Sequence, residues 1–301
     1  MYAARHSTFA SAAQMSAPAR RDTRKPPGDL IYILSMRIAA ISDVHGNVFA
    51  LEAVLADIED QMVDVIVNLG DHLSGGVAPV ETADRLLEIP AISIRGNHER
   101  QVLENDYETL SPSDRLAHDV ISERHREWLA NLPTSVQVAP GVLAFHGAPD
   151  DDVVYLLESV RSDGAHVASM SEVISRLGSY SEGYHLLLCG HTHLQRAMLL
   201  PTGTLVANPG SVGWPAFEDN HPYYHVIEAG TPHARYAVLD DAAGRWEVEF
   251  RSVVYPWELA AEMARANGRE DIAHALLTGR VAPRFDSTRV SSSYGDEENA
   301  R

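Results

Sequence analysis

Five short apolar segments of this chain each end in polar side chains of the kind that bind metal ions. RIAAIS (37–42) leads into Asp43 and His45, and DVIVNL (64–69) leads into Asp71. The other three segments, AISIR, GVLAF and HLLLC, lead in turn into Asn97 with His98, into His146, and into His191 with His193. Open α/β sheets bind ligands at the carboxyl ends of their strands, and a strand holds a ligand atom more firmly than a free loop. The pattern therefore predicts one site built from several strand ends.

Two carboxylates, one amide and four imidazoles make up the candidate metal ligands: Asp43, His45, Asp71, Asn97, His146, His191 and His193. A single residue such as Asp43 is equally well explained as a helix cap, but seven at strand ends are not. The set exceeds one tetrahedral site and suits two divalent ions that share a bridging carboxylate. Nitrogen and oxygen ligands without thiolate favour manganese, iron, nickel or zinc.

The motifs around these residues resemble those of the calcineurin-like metallophosphoesterase superfamily. In chain order they are ISDVHGN, NLGD, RGNHE, FHG and CGHTH. The longer stretches DVHGNVFALEAVL and ANPGSVGWP are similar to the small bacterial and archaeal phosphodiesterases of its YfcE-like branch. The resemblance implies an α/β fold, a four-layer αββα sandwich of two mixed β-sheets flanked by helices.

The resemblance also implies a role for each residue of the site. One metal ion would be held by Asp43, His45 and His193, the other by Asn97, His146 and His191, with Asp71 as the bridge. His98 would be catalytic: it would face the substrate and polarise the phosphoryl group or protonate the leaving oxygen. The expected reaction is attack of metal-bound hydroxide on a small nucleotide or related phosphodiester, with manganese favoured among the divalent ions.

Two other activities and one non-enzymatic role stay open as alternatives. The motifs do not separate a phosphodiesterase from a phosphomonoesterase or a dinucleotide polyphosphate hydrolase. A non-catalytic scaffold of the same fold is less favoured, because no ligand and no acid histidine is missing. Arg196, Trp214 and Tyr223 are candidate substrate-binding residues, and for Arg196 an outward salt bridge is the alternative. The segment 215–232 is predicted as a long loop, either a surface flap or an aromatic wall for a nucleobase.

The amino-acid composition limits the classes of molecule that this protein is expected to bind. The chain has 42 acidic and 24 basic side chains, a formal net charge of -18, which argues against binding long nucleic acid. No apolar run approaches the roughly 18 residues of a membrane span. The single cysteine, Cys189, excludes an internal disulfide and is compatible with a cytoplasmic location. We expect a small phosphoester substrate as the partner.

Residues 37–284 are predicted to form one domain, the metallophosphoesterase domain that the resemblance implies. A β-α-β-α-β series over 37–95 implies parallel strands, and a helix over 114–131 separates it from a second set of short strands. Closing helices at 256–266 and 270–279 either complete the core or form a contact in a homo-oligomer. Residues 1–36 are predicted to be a disordered extension and residues 285–301 a flexible tail.

Overall fold

A computed structural model describes residues 35–283 of the 301-residue chain. The predicted tail over 285–301 lies outside the described residues, and so does the predicted extension over 1–36, apart from Ser35 and Met36. The Met36 amide donates a hydrogen bond to Asp241 Oδ1 at 2.6 Å, next to the first strand of the domain.

The first part of the domain is the predicted alternation of strands and helices. Its elements are β1 (Arg37–Ile41), α1 (Val48–Glu59), β2 (Val65–Asn68), α2 (Pro79–Glu88) and β3 (Ala91–Ser93). The three strands pair in parallel, as the β-α-β-α-β series predicted. Ile38 and Ala40 of β1 pack into one core and Ala39 and Ile41 into another, because successive side chains of a strand face opposite sides. A strand buried on both faces explains the continuous apolar run of its sequence.

Three helices follow where the sequence predicted one. They are α3 (Asn97–Glu104), α4 (Pro112–Val120) and α5 (Glu123–Asn131). The predicted single helix over 114–131 is wrong, because it is interrupted at Ser122, whose side chain accepts from the His125 amide and caps α5. The helix α3 was not predicted, and it begins inside the RGNHE motif.

The second sheet and its connections come next along the chain. Their elements are β4 (Ser135–Ala139), β5 (Val142–Phe145), β6 (Glu158–Arg161), β7 (Gly164–Val167), α6 (Met170–Leu177), β8 (Leu186–Leu188), β9 (Gln195–Leu199), β10 (Leu205–Pro209), β11 (Ala216–Asp219) and β12 (His225–Glu228). The sheet has the order β4-β5-β8-β10-β9. Its three central strands are parallel, and both edge strands are antiparallel to their neighbours. The predicted loop over 215–232 is in fact a hairpin of β11 and β12.

The chain then returns to the first sheet. The last elements are β13 (Ala234–Asp240), β14 (Glu247–Val253), α7 (Trp257–Ala266) and α8 (Glu270–Thr278). The strands complete a sheet of order β14-β13-β1-β2-β3. Ala260 and Ala264 of α7 and Ile272 and Leu276 of α8 are buried in the core with α1, so these helices complete the core.

Three apolar clusters separate the four layers of the sandwich. One lies between the first sheet and helices α1, α7 and α8, a second lies between the two sheets, and a third lies between the second sheet and α6. The predicted αββα arrangement is confirmed. Among residues 35–283, no helix has both the length and the apolar character required to cross a membrane.

Candidate metal centre and active site

All seven predicted ligands meet at one edge of the two sheets, where they form two groups. The first group is Asp43, His45 and His193, and the second is Asp71, His146 and His191. Within each group the ligand atoms lie within 4.8 Å of one another. Asn97 joins the second group, because its Oδ1 lies 3.0 Å from the Nε2 of His146. Strands of both sheets therefore contribute to the site.

The backbone is strained at most of these ligands. Five have positive φ values between 49° and 69°, a region that side chains with a Cβ rarely adopt: Asp43, His45, Asp71, His191 and His193. Elsewhere in residues 35–283 the only non-glycine residue with positive φ is Met62. Such residues cost about 1–3 kcal/mol each and cluster at functional sites. The fold therefore bends the chain sharply where these side chains must turn inward.

Two glycines of the motifs allow the close approach of the site loops. A Cβ on Gly96, in RGNHE, would lie 2.3 Å from Asp71 Oδ1. A Cβ on Gly213, in ANPGSVGWP, would lie 1.8 Å from the carbonyl oxygen of Val44. Both distances are far shorter than a carbon–oxygen contact allows, so only glycine permits these loops to pack together.

Hydrogen bonds fix how the imidazoles present their nitrogen atoms. Three imidazoles donate from Nδ1 to a backbone carbonyl oxygen at 2.5–2.7 Å: His45 to Ser74, His146 to Leu69 and His193 to Trp214. A carbonyl oxygen only accepts, so Nδ1 of each ring carries a proton, and a ring that is neutral presents the lone pair of Nε2 to the site. The Nε2 atoms of His45 and His193 are 3.0 Å apart. In two neutral rings these lone pairs would repel each other, and a metal ion bound to both would relieve that repulsion.

Asp43 provides a second test of whether the first group fits a metal ion. Its carboxylate is fully buried, and its Oδ1 has no hydrogen-bond partner. This oxygen lies 3.4 Å from His193 Nε2 and 3.9 Å from His45 Nε2. Burial raises the pKa of Asp43, but the neighbouring His193 outweighs burial and lowers that pKa to about 2. A buried, ionised oxygen without a donor is costly unless a cation binds it, so these residues fit a divalent ion.

The imidazole of His45 remains neutral beside this carboxylate. Burial and the neighbouring His193 lower the pKa of His45 to about 3 in the polypeptide alone. A neutral imidazole is the form that binds metals. Asp43 and His45 are therefore already in the protonation states that metal binding requires.

Asp71 lies between the two groups. Its Oδ2 is 3.1 Å from His146 Nε2 in the second group and 4.0 Å from His45 Nε2 in the first. Burial raises the pKa of Asp71, but the charges of His146 and His98 lower it well below its ordinary value. The carboxylate is thus ionised and close to both groups, as a bridging ligand must be.

The two imidazoles of the second group differ from each other. Burial lowers the pKa of His146, but Asp71 outweighs burial and raises it to about 10. Burial and His146 lower the pKa of His191 to about 4. His191 Nε2 is 3.1 Å from the carbonyl oxygen of Val153, so it carries the proton and Nδ1 is the atom left for a metal ion.

His98 lies in the first turn of α3, beside the metal ligands. Its Nδ1 is 2.6 Å from Asp114 Oδ1, and its Nε2 is 4.0 Å from Asp71 Oδ2. Burial lowers the pKa of His98, but the charges of Asp71 and Asp114 raise it to about 9. The imidazole therefore holds a proton near neutral pH and directs Nε2 toward the site, which suits a general acid.

Sequence reasoning missed the roles of two residues that support the site. Asp114 was not predicted, although its position three residues after Ser111, the N-cap of α4, is a capping signature. Glu99 was recognised as the last residue of RGNHE but was expected to matter little, whereas its carboxylate accepts hydrogen bonds at 2.7–2.8 Å from the amides of Asp71, His72 and Gly96. Glu99 thus holds the loop that carries Asp71 against the start of α3.

Five of the predicted ligands line a cavity of about 940 Å³: His45, Asp71, Asn97, His191 and His193. Trp214 lies in its wall, with its ring edge-on to His45 at 4.9 Å. Of the other two predicted substrate-binding residues, Arg196 is engaged with Glu158, where Nε and Oε1 are 2.6 Å apart. Tyr223 is 52% exposed and does not belong to the cavity lining. The roles of all three in substrate binding remain predictions.

Several known proteins are similar to this chain in sequence or in fold. An uncharacterized protein of Methanocaldococcus jannaschii is 26% identical over 215 residues, which cover 64% of this chain and 82% of that protein. The crystal structure of a metallophosphoesterase from Sphaerobacter thermophilus matches 81% of this chain and 99% of its own, with 26% identity and a TM-score of 0.62. A hypothetical protein from Pyrococcus horikoshii has the same fold, with 18% identity, a TM-score of 0.64, and coverage of 82% of this chain and 100% of its own.

A match to a protein-family model assigns the chain to a family. The model of the calcineurin-like phosphoesterase superfamily domain matches residues 36–231, a stretch that contains every predicted metal ligand and His98. This match covers well over half of the chain, and it agrees with the two ligand groups at the sheet edge. The chain therefore belongs to the calcineurin-like phosphoesterase superfamily, a family of divalent-metal-dependent phosphoric ester hydrolases.

Proposed function

We propose that this protein is a binuclear metal-dependent phosphodiesterase that hydrolyses a small nucleotide or a related phosphodiester. One observation carries the proposal: Asp71 of the second group also lies close to the first group, and His98 lies beside both. The first group and the second group, with Asn97, would each hold one divalent ion. Bound divalent ions would activate water at neutral pH and offset the charge on phosphoryl oxygens.

His98 is proposed to donate the proton that the leaving oxygen requires. Its Nδ1 is held by Asp114 at 2.6 Å, so the proton available to a substrate is the one on Nε2. Asp114 is itself held, because its Oδ2 accepts from Ser111 Oγ at 2.6 Å. A fixed ring orientation keeps Nε2 directed at the site and avoids reorganisation during proton transfer.

The charge of the cavity supports a diester rather than a monoester. Among its described lining residues, the arginines are Arg176 and Arg269, and both are engaged. Arg176 donates to the backbone carbonyls of Tyr155 and Glu158, and Arg269 pairs with Asp271 at 2.7 Å. A phosphomonoester carries a charge of about −1.5 to −2 near pH 7, whereas a diester carries a single negative charge. A cavity whose guanidinium groups are already paired favours the less charged substrate.

A dinucleotide polyphosphate is the second candidate substrate, and the size of the cavity favours it. A volume of about 940 Å³ is at the upper end of ordinary ligand pockets. Trp214 and Phe217 line one wall and provide apolar surface for a base. The paired arginines oppose this candidate, because a polyphosphate chain calls for several free cationic groups.

Chromogenic esters test the proposal directly. We expect hydrolysis of bis(p-nitrophenyl) phosphate to exceed that of p-nitrophenyl phosphate when manganese is added, and both to stop after chelation. Iron, nickel and zinc in the same assay rank the metals. Diadenosine polyphosphates form a third arm, and faster turnover of these compounds would favour the second candidate. Hydrolysis of no ester with any of the four metals would overturn the proposal in favour of a scaffold.

A further inference from the structure

His191 is held differently from the other three imidazoles of the site. His45, His146 and His193 are fixed through Nδ1 and are buried, whereas His191 is fixed through Nε2 and is partly exposed. Its acceptor, the Val153 carbonyl, lies in a segment between β5 and β6 that is neither helix nor strand. The orientation of His191 therefore depends on how firmly that segment is held.

Tyr155 is the side chain of that segment that reaches both His191 and the hairpin of β11 and β12. Its ring packs edge-on against the His191 ring, with centroids 5.1 Å apart and planes at 70°. Its hydroxyl lies 3.1 Å from the Nε2 of His225, which begins β12. Its carbonyl accepts from Arg176 at 2.9 Å. Tyr155 is thus anchored at its backbone by α6 and at its hydroxyl by the hairpin.

The tautomer of His225 determines the direction of this hydrogen bond. Nδ1 of His225 is 2.8 Å from the carbonyl oxygen of Tyr223 and therefore carries the proton. Nε2 is then an acceptor, and the Tyr155 hydroxyl must donate to it. His225 is buried, so loss of this donor would leave Nε2 without a partner away from water.

The hairpin that carries His225 also touches the first ligand group. Phe217 of β11 packs against His193, with ring centroids 4.7 Å apart. Phe217 and Tyr155 both line the cavity. The hairpin therefore contacts one imidazole of each group, directly at His193 and through Tyr155 at His191.

We propose that Tyr155 is a positioning residue for the second metal ion: its hydrogen bond to His225 ties the loop that orients His191 to the hairpin. This inference rests on the proposed function only for the identity of His191 as a ligand. Groups that hold a metal ligand in place are worth about tenfold to a hundredfold in metal affinity. Removing the Tyr155 hydroxyl should therefore weaken one of the two metal sites and spare the other.

Manganese binding to the full chain tests this inference. In equilibrium dialysis, Tyr155→Phe keeps the ring and should raise one of two manganese dissociation constants about tenfold, with the other unchanged. Activity should fall at limiting manganese and recover at excess manganese. Tyr107→Phe is the matched control, because its hydroxyl donates to Asp119 at 2.9 Å on an exposed surface. That control should bind manganese like the unmodified chain.

A second variant links the effect to His191. In a His191→Ala background, Tyr155→Phe should cause no further loss of affinity, because the residue it positions is gone. Equal manganese affinities in Tyr155→Phe and the unmodified chain, at unchanged melting temperature, would overturn the inference. So would a full tenfold loss in the His191→Ala background. Both results are read from metal binding, so they are distinct from a failure of the ester assay, which would bear on the proposed function alone.

Discussion

The two ligand groups are built from different parts of the fold. The first group comes from the carboxyl ends of β1 and β8, and its imidazoles are fixed by carbonyls of neighbouring site loops. The second group takes Asp71 and His146 from the ends of β2 and β5 and Asn97 from the start of α3. Its third imidazole, His191, also follows β8, but its hydrogen-bond acceptor lies in an irregular segment. All residues of the first group are buried, whereas His191 is partly exposed.

The first group is thus held by strand ends alone, whereas the second also depends on a helix and an irregular segment. The first group needs one strand end from each sheet, those of β1 and β8, and backbone turns at positive φ. The second group needs a sheet, a helix and a loop to be in place together. We therefore expect substitutions to affect the second metal ion at more positions than the first.

The largest effect should follow removal of the carboxylate that both groups share. Asp71→Ala should abolish binding of both manganese ions and lower ester hydrolysis well over a hundredfold, since the loss of outer ligand supports alone costs about 10–100-fold. Manganese per chain, measured after dialysis, checks this outcome. Asp43→Ala is the comparison, and we expect it to retain one ion. Retention of two ions by Asp71→Ala would contradict the shared role.

His98→Ala should separate chemistry from metal binding. We expect a fall in kcat of about 10²–10⁴-fold with both manganese ions retained, because general acid catalysis typically contributes that much. Steady-state kinetics and manganese content measured on the same sample check the result. Asp114→Asn should cause a smaller fall in kcat, since the ring remains but is held less firmly. A normal kcat in His98→Ala would remove its catalytic role.

Glu99→Gln should lower the stability of the fold and weaken metal binding by the second group. The Glu99 carboxylate accepts from three backbone N–H groups, and glutamine would place its own NH2 donor against one of them. We expect the free energy of unfolding to fall by about 3 kcal/mol. Chemical denaturation with and without manganese measures this loss. Glu104→Gln, which breaks a single exposed pair with Arg95, is the control and should change little. Equal stabilities of the two variants would show that Glu99 is dispensable.

The smallest effect concerns the cavity wall beside the first group. Trp214→Phe should raise KM about two- to tenfold, because the cavity loses part of an aromatic surface. It should change kcat little, because the hydrogen bond from His193 goes to the backbone oxygen of residue 214, which the substitution retains. Tyr223→Phe should leave KM unchanged, since Tyr223 is outside the cavity lining. A larger effect at Tyr223 than at Trp214 would show that the hairpin moves onto the substrate.

Much of the site could be predicted from the sequence because each ligand follows a strand directly. The strand ends specify both the residue types and their common edge, so the meeting of Asp43 and His146 at that edge was predicted without coordinates. The contributions of Asp114 and Glu99 were missed for a physical reason. Their roles depend on where α3 and α4 lie against the sheet, and side-chain contacts across 16–28 residues leave no local periodicity.

The fold shows the same division. The β-α-β-α-β series and the αββα layers followed from apolar runs of strand and helix period. The break at Ser122 was not predicted, because its side chain caps α5 within a stretch whose sequence resembles one continuous helix. The hairpin of β11 and β12 was not predicted either, because strand pairing leaves no clear pattern in that segment.

The class of fold, the candidate ligands and the family could be read from the sequence, since apolar periodicity and short motifs are local properties of a chain. The contact of Asp114 with His98 and the connection of His191 to a hairpin through Tyr155 required the folded domain. Those relations are distances between segments far apart in sequence, and packing of the whole domain sets them.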